Sequence, residues 1–281
     1  MHYGPFYIPE WHHPIWGLSI FLVGCCLGSF FNVCIYRIPL DTSIVLPRSR
    51  CSSCGIGLKP YQNLPLIGWW LYRGWCACGL TRIDTRYFLV ELVTGGMFVG
   101  LWFHYQPLLF IIYATFLSGL LVVSVIDMDH FIIPDRFSVG GILVGFAAST
   151  LFPYLHHEES AWMGFRASFL GATIGGLILY SISLIGRKIF KKDAMGLGDV
   201  KLLAAVGAFL GWESTIYIIG LSSMIGSVIG IFLMLKGPIG YGNRLPFGPF
   251  LSLAAAVWIF GGADWTAHYL DSLSALGLLP N

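Results

Sequence analysis

Two aspartates stand where the sequence changes from polar to strongly apolar. Asp127 follows the apolar run 108–126, and Asp199 precedes the shorter apolar run 200–212. An ionisable group at membrane depth is costly and is usually retained for a function. Two carboxylates that face each other at a partly dehydrated site cannot both ionise easily, so the pair shares a proton. Such a pair is suited to activating water for peptide hydrolysis.

The segment MGLGDVK, residues 195–201, surrounds the second aspartate with small residues. Gly196 and Gly198 carry no side chain, so we expect an extended substrate to approach the backbone beside Asp199 closely. Lys201 follows two residues later, and two roles are open to it. It can anchor the cytoplasmic interface of the membrane, which we favour, or it can bias the charge of Asp199.

Two further aspartates lie near Asp127 in the segment VIDMDHFIIPD. For Asp129 and Asp135 we expect helix capping or interfacial solvation rather than chemistry. Asp135 follows Pro134 and is placed to cap a helix that begins near Arg136.

Four of the seven cysteines form two close pairs in one long polar loop, Cys51 with Cys54 and Cys76 with Cys78. Disulfides rarely persist in the cytoplasm, and four thiolates suit tetrahedral zinc. We therefore predict a structural zinc site with no open position for water. The second pair is C-x-C rather than the commoner C-x2-C, and the alternative is a reduced or redox-sensitive loop.

The composition is that of an integral membrane protein. Hydrophobic residues make up 56% of the 281 positions and charged residues 11%, and the mean hydropathy is +0.75. We predict an all-α chain of about eight membrane helices, with membrane lipid and not nucleic acid as its surroundings. The apolar stretches are 15–36, 88–104, 108–126, 137–154, 164–186, 200–212, 214–235 and 247–262.

Basic residues predict the orientation of these helices. If the N-terminus lies outside, fifteen of the sixteen Lys and Arg residues face the cytoplasm and only Arg166 lies outside. The C-terminus is then outside, and both Asp127 and Asp199 lie at cytoplasmic helix ends, where they can meet. We expect three parts: a first helix over 1–36, a cytoplasmic cysteine-rich loop over 37–87, and a helical peptidase domain over 88–281.

With these features in place, the sequence resembles the bacterial type IV prepilin peptidases, membrane aspartyl proteases of the GxGD class. GLGDVK and IDMDHFIIPD carry the resemblance, and other segments match in order: GSFFNVCIYRIP, PYQNLPLIGWWLYRG, RYFLVEL and LPFGPFLSLA. In that family the first catalytic aspartate stands seven residues before the proline of the PD pair. The resemblance therefore implies Asp127, rather than Asp129, together with Asp199 of the GxGD motif.

The resemblance also implies substrates and a second activity. Such enzymes remove the basic leader of type IV prepilins, or of type II secretion pseudopilins, after a glycine at the cytoplasmic face of the inner membrane. Many then methylate the new N-terminal amine with S-adenosylmethionine, an activity associated with the cysteine loop. No G-x-G-x-x-G motif follows a strand, so ligands for this cofactor are not assigned. Glu91 and the loop arginines can either face the methyl donor or serve as a capped helix end and interfacial charges.

Two other classes of protein share some of these features. A membrane transporter or proton-conducting protein with a zinc-stabilised loop also places carboxylates at membrane depth, but it more often shows an internal repeat and central charges. A non-catalytic zinc-loop adaptor explains the cysteines and leaves Asp127 and Asp199 without a role. Neither the oligomeric state nor the particular prepilins follow from the sequence.

Overall fold

A computed structural model describes most of the chain. The described residues are 14–46, 50, 55, 57, 61, 64–76, 78–79, 82–191, 195–236, 245–262, 264–266, 268 and 272. Within these ranges the fold is helical, and the extended pairing consists of two isolated antiparallel bridges, Arg50 with Gly57 and Trp75 with Arg82. The prediction of an all-α membrane protein is confirmed at this level.

Eight α-helices occur in the described ranges: α1 Pro14–Arg37, α2 Ile67–Leu71, α3 Thr85–His104, α4 Pro107–His130, α5 Asp135–Leu151, α6 Ala161–Phe190, α7 Leu197–Lys236 and α8 Gly248–Val257. Short 3-10 turns cover Ile38–Leu40 and Pro153–His156, and a π-helical turn, Trp258–Gly262, follows α8.

Five of these helices are long and apolar enough to cross a membrane, namely α1, α3, α4, α6 and α7. All eight predicted apolar stretches fall on helical segments. Helix α5 has only 17 residues and α8 only 10, which is short for a bilayer. The number of eight crossings therefore stays a prediction.

Helix α7 is 40 residues long and contains a break at Gly211, whose backbone (φ 85°, ψ 178°) is not helical. The break frees the carbonyl of Ala208, which accepts hydrogen bonds from Ser149 Oγ at 3.2 Å and Ser168 Oγ at 2.6 Å. The sequence GWES is typical of a polar loop at this point. Instead the helix resumes at once, because neighbouring hydroxyl groups satisfy the freed backbone group inside the protein.

The chain divides into two compact units, residues 1–118 and 119–281, with the boundary inside α4. In the first unit, α1 packs closely against α3. A Cβ atom on Gly24 would lie 2.9 Å from the Cα of Gly95, so small residues permit this approach. Cys25 and Cys34 are buried, as expected for packing residues, whereas Cys26 is exposed.

In the second unit, the first half of α7 forms the core. Residues 202–209 are all buried, and α5, α6 and α8 pack around this helix. The buried face is made of small and branched apolar side chains, which allow several helices to approach one helix at once. This packing holds the N-terminal end of α7, and therefore Asp199, in a fixed position.

Candidate active site

Asp127 lies in the last turn of α4 with only 5% of its surface exposed. Its Oδ2 atom accepts a hydrogen bond at 3.0 Å from the backbone N–H of Gly248, the first residue of α8. A helix N-terminus carries unpaired N–H groups and partial positive charge, which favour an anion. The LPFGPF segment therefore lies beside this aspartate, and α8 holds the carboxylate in place.

The contact between Asp127 and Gly248 leaves no room for a side chain. A Cβ atom on residue 248 would stand 2.7 Å from Asp127 Oδ2 and 3.3 Å from its Cγ. These distances are shorter than non-bonded atoms tolerate. In the sequence, LPFGPFLSLA is only one of the segments that carry the family resemblance, and nothing in it indicates that one of its backbone amides binds Asp127.

Asp199 is the third residue of α7 and is partly buried. The backbone N–H groups of Gly196 and of Asp199 itself hydrogen-bond to its carboxylate. A Cβ atom on Gly196 would lie 3.6 Å from Asp199 Oδ2, which is an ordinary contact. Gly198 is more constrained, because a Cβ atom there would lie 3.0 Å from the Cβ of Ile133. Gly198 thus has a packing reason to be glycine.

The carboxylates of Asp127 and Asp199 lie close enough to interact electrostatically. The last turn of α4 and the first turn of α7 therefore lie within electrostatic range of each other, and the catalytic pairing of the two aspartates stays a prediction. Asp129 is exposed, and two residues along a helix turn the side chain by about 200°. Asp127 is thus the buried carboxylate of this segment, and it is the one that interacts electrostatically with Asp199.

Lys201 does not pair with Asp199 in this arrangement. Its Nζ lies 2.7 Å from Asp135 Oδ1, in an ion pair whose side chains are 41% and 67% exposed. The expectation that Asp135 caps α5 is wrong: the helix begins at Asp135, its N-cap is Pro134, and no side chain makes the cap hydrogen bond. Asp135 instead occupies the first turn, where a negative charge suits the helix dipole.

Half of the predicted zinc site falls in the described part of the chain. Cys76 is buried and Cys78 is partly buried. Gly79, with φ 70°, donates its N–H to the carbonyl of Cys76 at 2.8 Å, in a hydrogen-bonded turn that contains both cysteines. Cys51 and Cys54 lie outside the described residues. The turn fits one half of a four-thiolate site, and among the residues described no group of three or more metal-binding side chains occurs.

The first unit contains a buried carboxylate whose role the sequence left open. Glu91, in the second turn of α3, is 8% exposed. Its Oε2 accepts the backbone N–H of Leu66 at 2.7 Å, and the Ser29 hydroxyl is a second hydrogen-bond partner. The alternative of a capped helix end is wrong, because Asp84 is the N-cap of α3 and accepts from Arg86 N. Only the folded loop reveals the contact with Leu66.

Comparison with known proteins assigns both units. The sequence profile of the bacterial Peptidase A24 N-terminal domain matches residues 22–105, and that of the Type IV leader peptidase family matches residues 114–231. The first range includes Glu91 and all four loop cysteines, and the second includes both Asp127 and Asp199. No solved structure matches the chain.

Curated relatives extend the match over most of the chain. A prepilin leader peptidase/N-methyltransferase of Myxococcus xanthus is 39% identical over 81% of this chain and 66% of the relative. Proteins of the same name from Stutzerimonas stutzeri and Pseudomonas aeruginosa are 30% and 29% identical, over 90% and 92% of this chain and 93% and 95% of their own lengths. The chain belongs to the type IV leader peptidase family.

Proposed function

We propose that the chain is a bifunctional membrane enzyme that removes the basic leader of type IV prepilins and then N-methylates the new N-terminal residue. Relatives named prepilin leader peptidase/N-methyltransferase align with the chain over most of their own lengths. The observation that carries the peptidase is the pair of interacting carboxylates, Asp127 and Asp199, at the junction of α4 and α7. The transporter alternative is not favoured.

Hydrolysis follows from this pair. A water molecule held between Asp127 and Asp199 attacks the carbonyl carbon of the glycine that precedes the scissile bond, while one carboxylate takes its proton and the other, protonated, polarises the carbonyl oxygen. The new C–O bond forms, the C–N bond breaks, and the acid returns a proton to the departing amine. The N–H of Gly248 holds the Asp127 carboxylate in place, which keeps it correctly oriented towards the water and the substrate.

We assign methyl transfer to the cysteine-rich loop of residues 37–87. S-adenosylmethionine would supply an activated methyl group: the unprotonated N-terminal amine would bond to the methyl carbon, the C–S bond would break to leave the neutral thioether, and the new ammonium group would lose a proton. The loop belongs to the compact unit 1–118, whereas Asp127 and Asp199 belong to the other unit. This separation supports two sites in one chain. Zinc held by Cys51, Cys54, Cys76 and Cys78 would close the loop without entering either reaction.

The proposed orientation places both termini outside, eight crossings in the inner membrane, and both sites at the cytoplasmic face. Its support is the asymmetry of the basic residues. Cysteine labelling at positions 52 and 158 tests it: reagent restricted to the outside should reach only position 158. Labelling of both positions from one side would contradict the topology. Type II secretion pseudopilins are further proposed substrates.

The activity is tested with purified protein in detergent and a peptide that carries a basic leader, a glycine and an apolar helix. We expect cleavage after the glycine without S-adenosylmethionine, and N-methylation of the product once it is added. Reconstituted liposomes with a pH-sensitive dye give the contrasting measurement. Proton flux with an uncut peptide would contradict the proposal and favour a transporter.

A further inference from the structure

We propose that Glu91 is a positioning residue for methyl transfer, because its carboxylate fastens the cysteine-rich loop at Leu66 to the helix pair α1 and α3. The inference rests on the proposed placement of methyl transfer in the loop. It assigns a task to the buried carboxylate that the peptidase mechanism does not use.

The contact joins parts of the chain that are distant in sequence. Leu66 donates its backbone N–H to Glu91 Oε2 at 2.7 Å across 25 residues, and Ser29 of α1 supplies the second hydrogen-bond partner. Glu91 is nearly fully buried. A buried carboxyl group is tolerated only when hydrogen bonds replace its lost water. One side chain thus ties together α1, α3 and the loop.

The loop is held at Leu66 in a conformation that it would not otherwise favour. Leu66 has φ 59° and ψ −49°, a backbone geometry that is costly for any residue other than glycine. Such a conformation persists only where surrounding contacts enforce it. The hydrogen bond from its N–H to Glu91 is one such contact, and α2 begins at the next residue.

Helix α2 connects Leu66 to the segment that contains Cys76 and Cys78, and it has contacts of its own with α3 and with the chain just before α3. The Trp69 ring packs on Phe88 of α3 with centroids 5.1 Å apart, and Trp69 Nε1 donates to the carbonyl of Ile83 at 3.3 Å. The chain then turns at Gly74, where a Cβ atom would lie 3.1 Å from the Trp69 ring, and it reaches Cys76 two residues later. The Leu66–Glu91 contact is therefore one of those that position the element that precedes the predicted metal ligands.

The close packing of α1 against α3 explains how the Glu91 carboxyl group comes to contact Ser29. A Cβ atom on Gly28 would lie 2.7 Å from the Cα of Glu91, so α1 and α3 touch here and bring Ser29 to the carboxylate. One turn further along α1, Asn32 Nδ2 donates to the carbonyl of Tyr87 at 3.0 Å. This end of the helix pair is thus a buried polar layer. Helix α3 is already capped by Asp84, so Glu91 is not required to start it.

The test compares the two activities in Glu91→Ala and Glu91→Gln. We expect Glu91→Ala to lower the turnover of methylation by about tenfold or more, because the part-buried N–H of Leu66 loses its acceptor. Leader cleavage should stay within about twofold, because the aspartates lie in the other unit. Glu91→Gln should retain most methylation, because its amide oxygen still accepts from Leu66. Glu159→Ala, at an exposed loop residue, is the matched control.

Hydrogen exchange at the Leu66 amide gives a direct readout of the contact. It should accelerate in Glu91→Ala and stay slow in Glu91→Gln. Equal loss of cleavage and methylation in Glu91→Ala would overturn the inference, as would unchanged methylation or a Glu91→Gln variant as impaired as Glu91→Ala. Cys76→Ser separates the two claims. If it weakens methylation while Glu91→Ala does not, the inference fails and the placement in the loop stands; if neither variant weakens methylation, both fail.

Discussion

Gly248→Ala should disable the peptidase by displacing one carboxylate. The added methyl group would stand 2.7 Å from Asp127 Oδ2, closer than comfortable contact by roughly half an ångström or more. The carboxylate or α8 must move, and the 3.0 Å hydrogen bond from the Gly248 N–H is stretched. A hydrogen bond to a charged group contributes about 1.5–3 kcal/mol, and a misplacement of about 1 Å costs about a hundredfold in rate.

The assay is leader cleavage by purified Gly248→Ala, compared with Gly220→Ala. Gly220 lies in α7, and a methyl group added there would meet no atom within 4 Å, so this substitution should leave cleavage within about twofold. We expect Gly248→Ala to cut about a hundredfold more slowly, while methylation of a peptide whose N-terminal amine is already free persists and shows that the protein is folded. Full cleavage activity in Gly248→Ala would refute the proposed support of Asp127 by α8.

Three further predictions concern other parts of the molecule. Zinc analysis should find one ion per chain, lost when Cys76 becomes serine, and a zinc-free wild type prepared without chelators would contradict the site. Lys201→Gln should keep cleavage within about threefold, since its exposed ion pair with Asp135 is worth less than about 1 kcal/mol; a hundredfold loss would place Lys201 in the chemistry. Burial lowers the pKa of His156 below its usual value, so the unfolded chain binds the proton more readily and stability should fall as the pH drops below about 6.5. Melting curves at pH 7.5 and 5.5 should show a smaller difference in His156→Gln, and an unchanged difference would refute this.

The sequence predicted the helices, and a common membrane face for the two aspartates, from simple patterns. Apolar length locates membrane helices, and basic residues locate their cytoplasmic ends. A common cytoplasmic end for Asp127 and Asp199 allows the two residues to approach each other, and the packing of the helices then decides whether they do. The catalytic roles themselves still rest on the proposed mechanism.

Other features depend on tertiary contacts that leave no local pattern. The N–H of Gly248 reaches Asp127 across 121 residues, and a backbone donor carries no mark in the sequence. Asp135 was expected to cap α5 because of its residue type, but Pro134 is the N-cap residue. The Asp135 carboxylate instead forms an ion pair with Lys201. At Gly211 the composition indicated a polar loop, whereas buried hydroxyl groups allow the helix to resume.

Cleavage of a prepilin by Asp127→Asn, Asp199→Asn and Asp129→Asn in liposomes tests the central claim most directly. An amide matches the size of the carboxylate but cannot take a proton from water, so each of the first two variants should lose cleavage by at least about a thousandfold. The double variant should be no worse than either single one, because the pair acts as a unit. Asp129→Asn should keep substantial activity. Robust cleavage by Asp199→Asn, or a loss confined to Asp129→Asn, would contradict the assignment of the two aspartates.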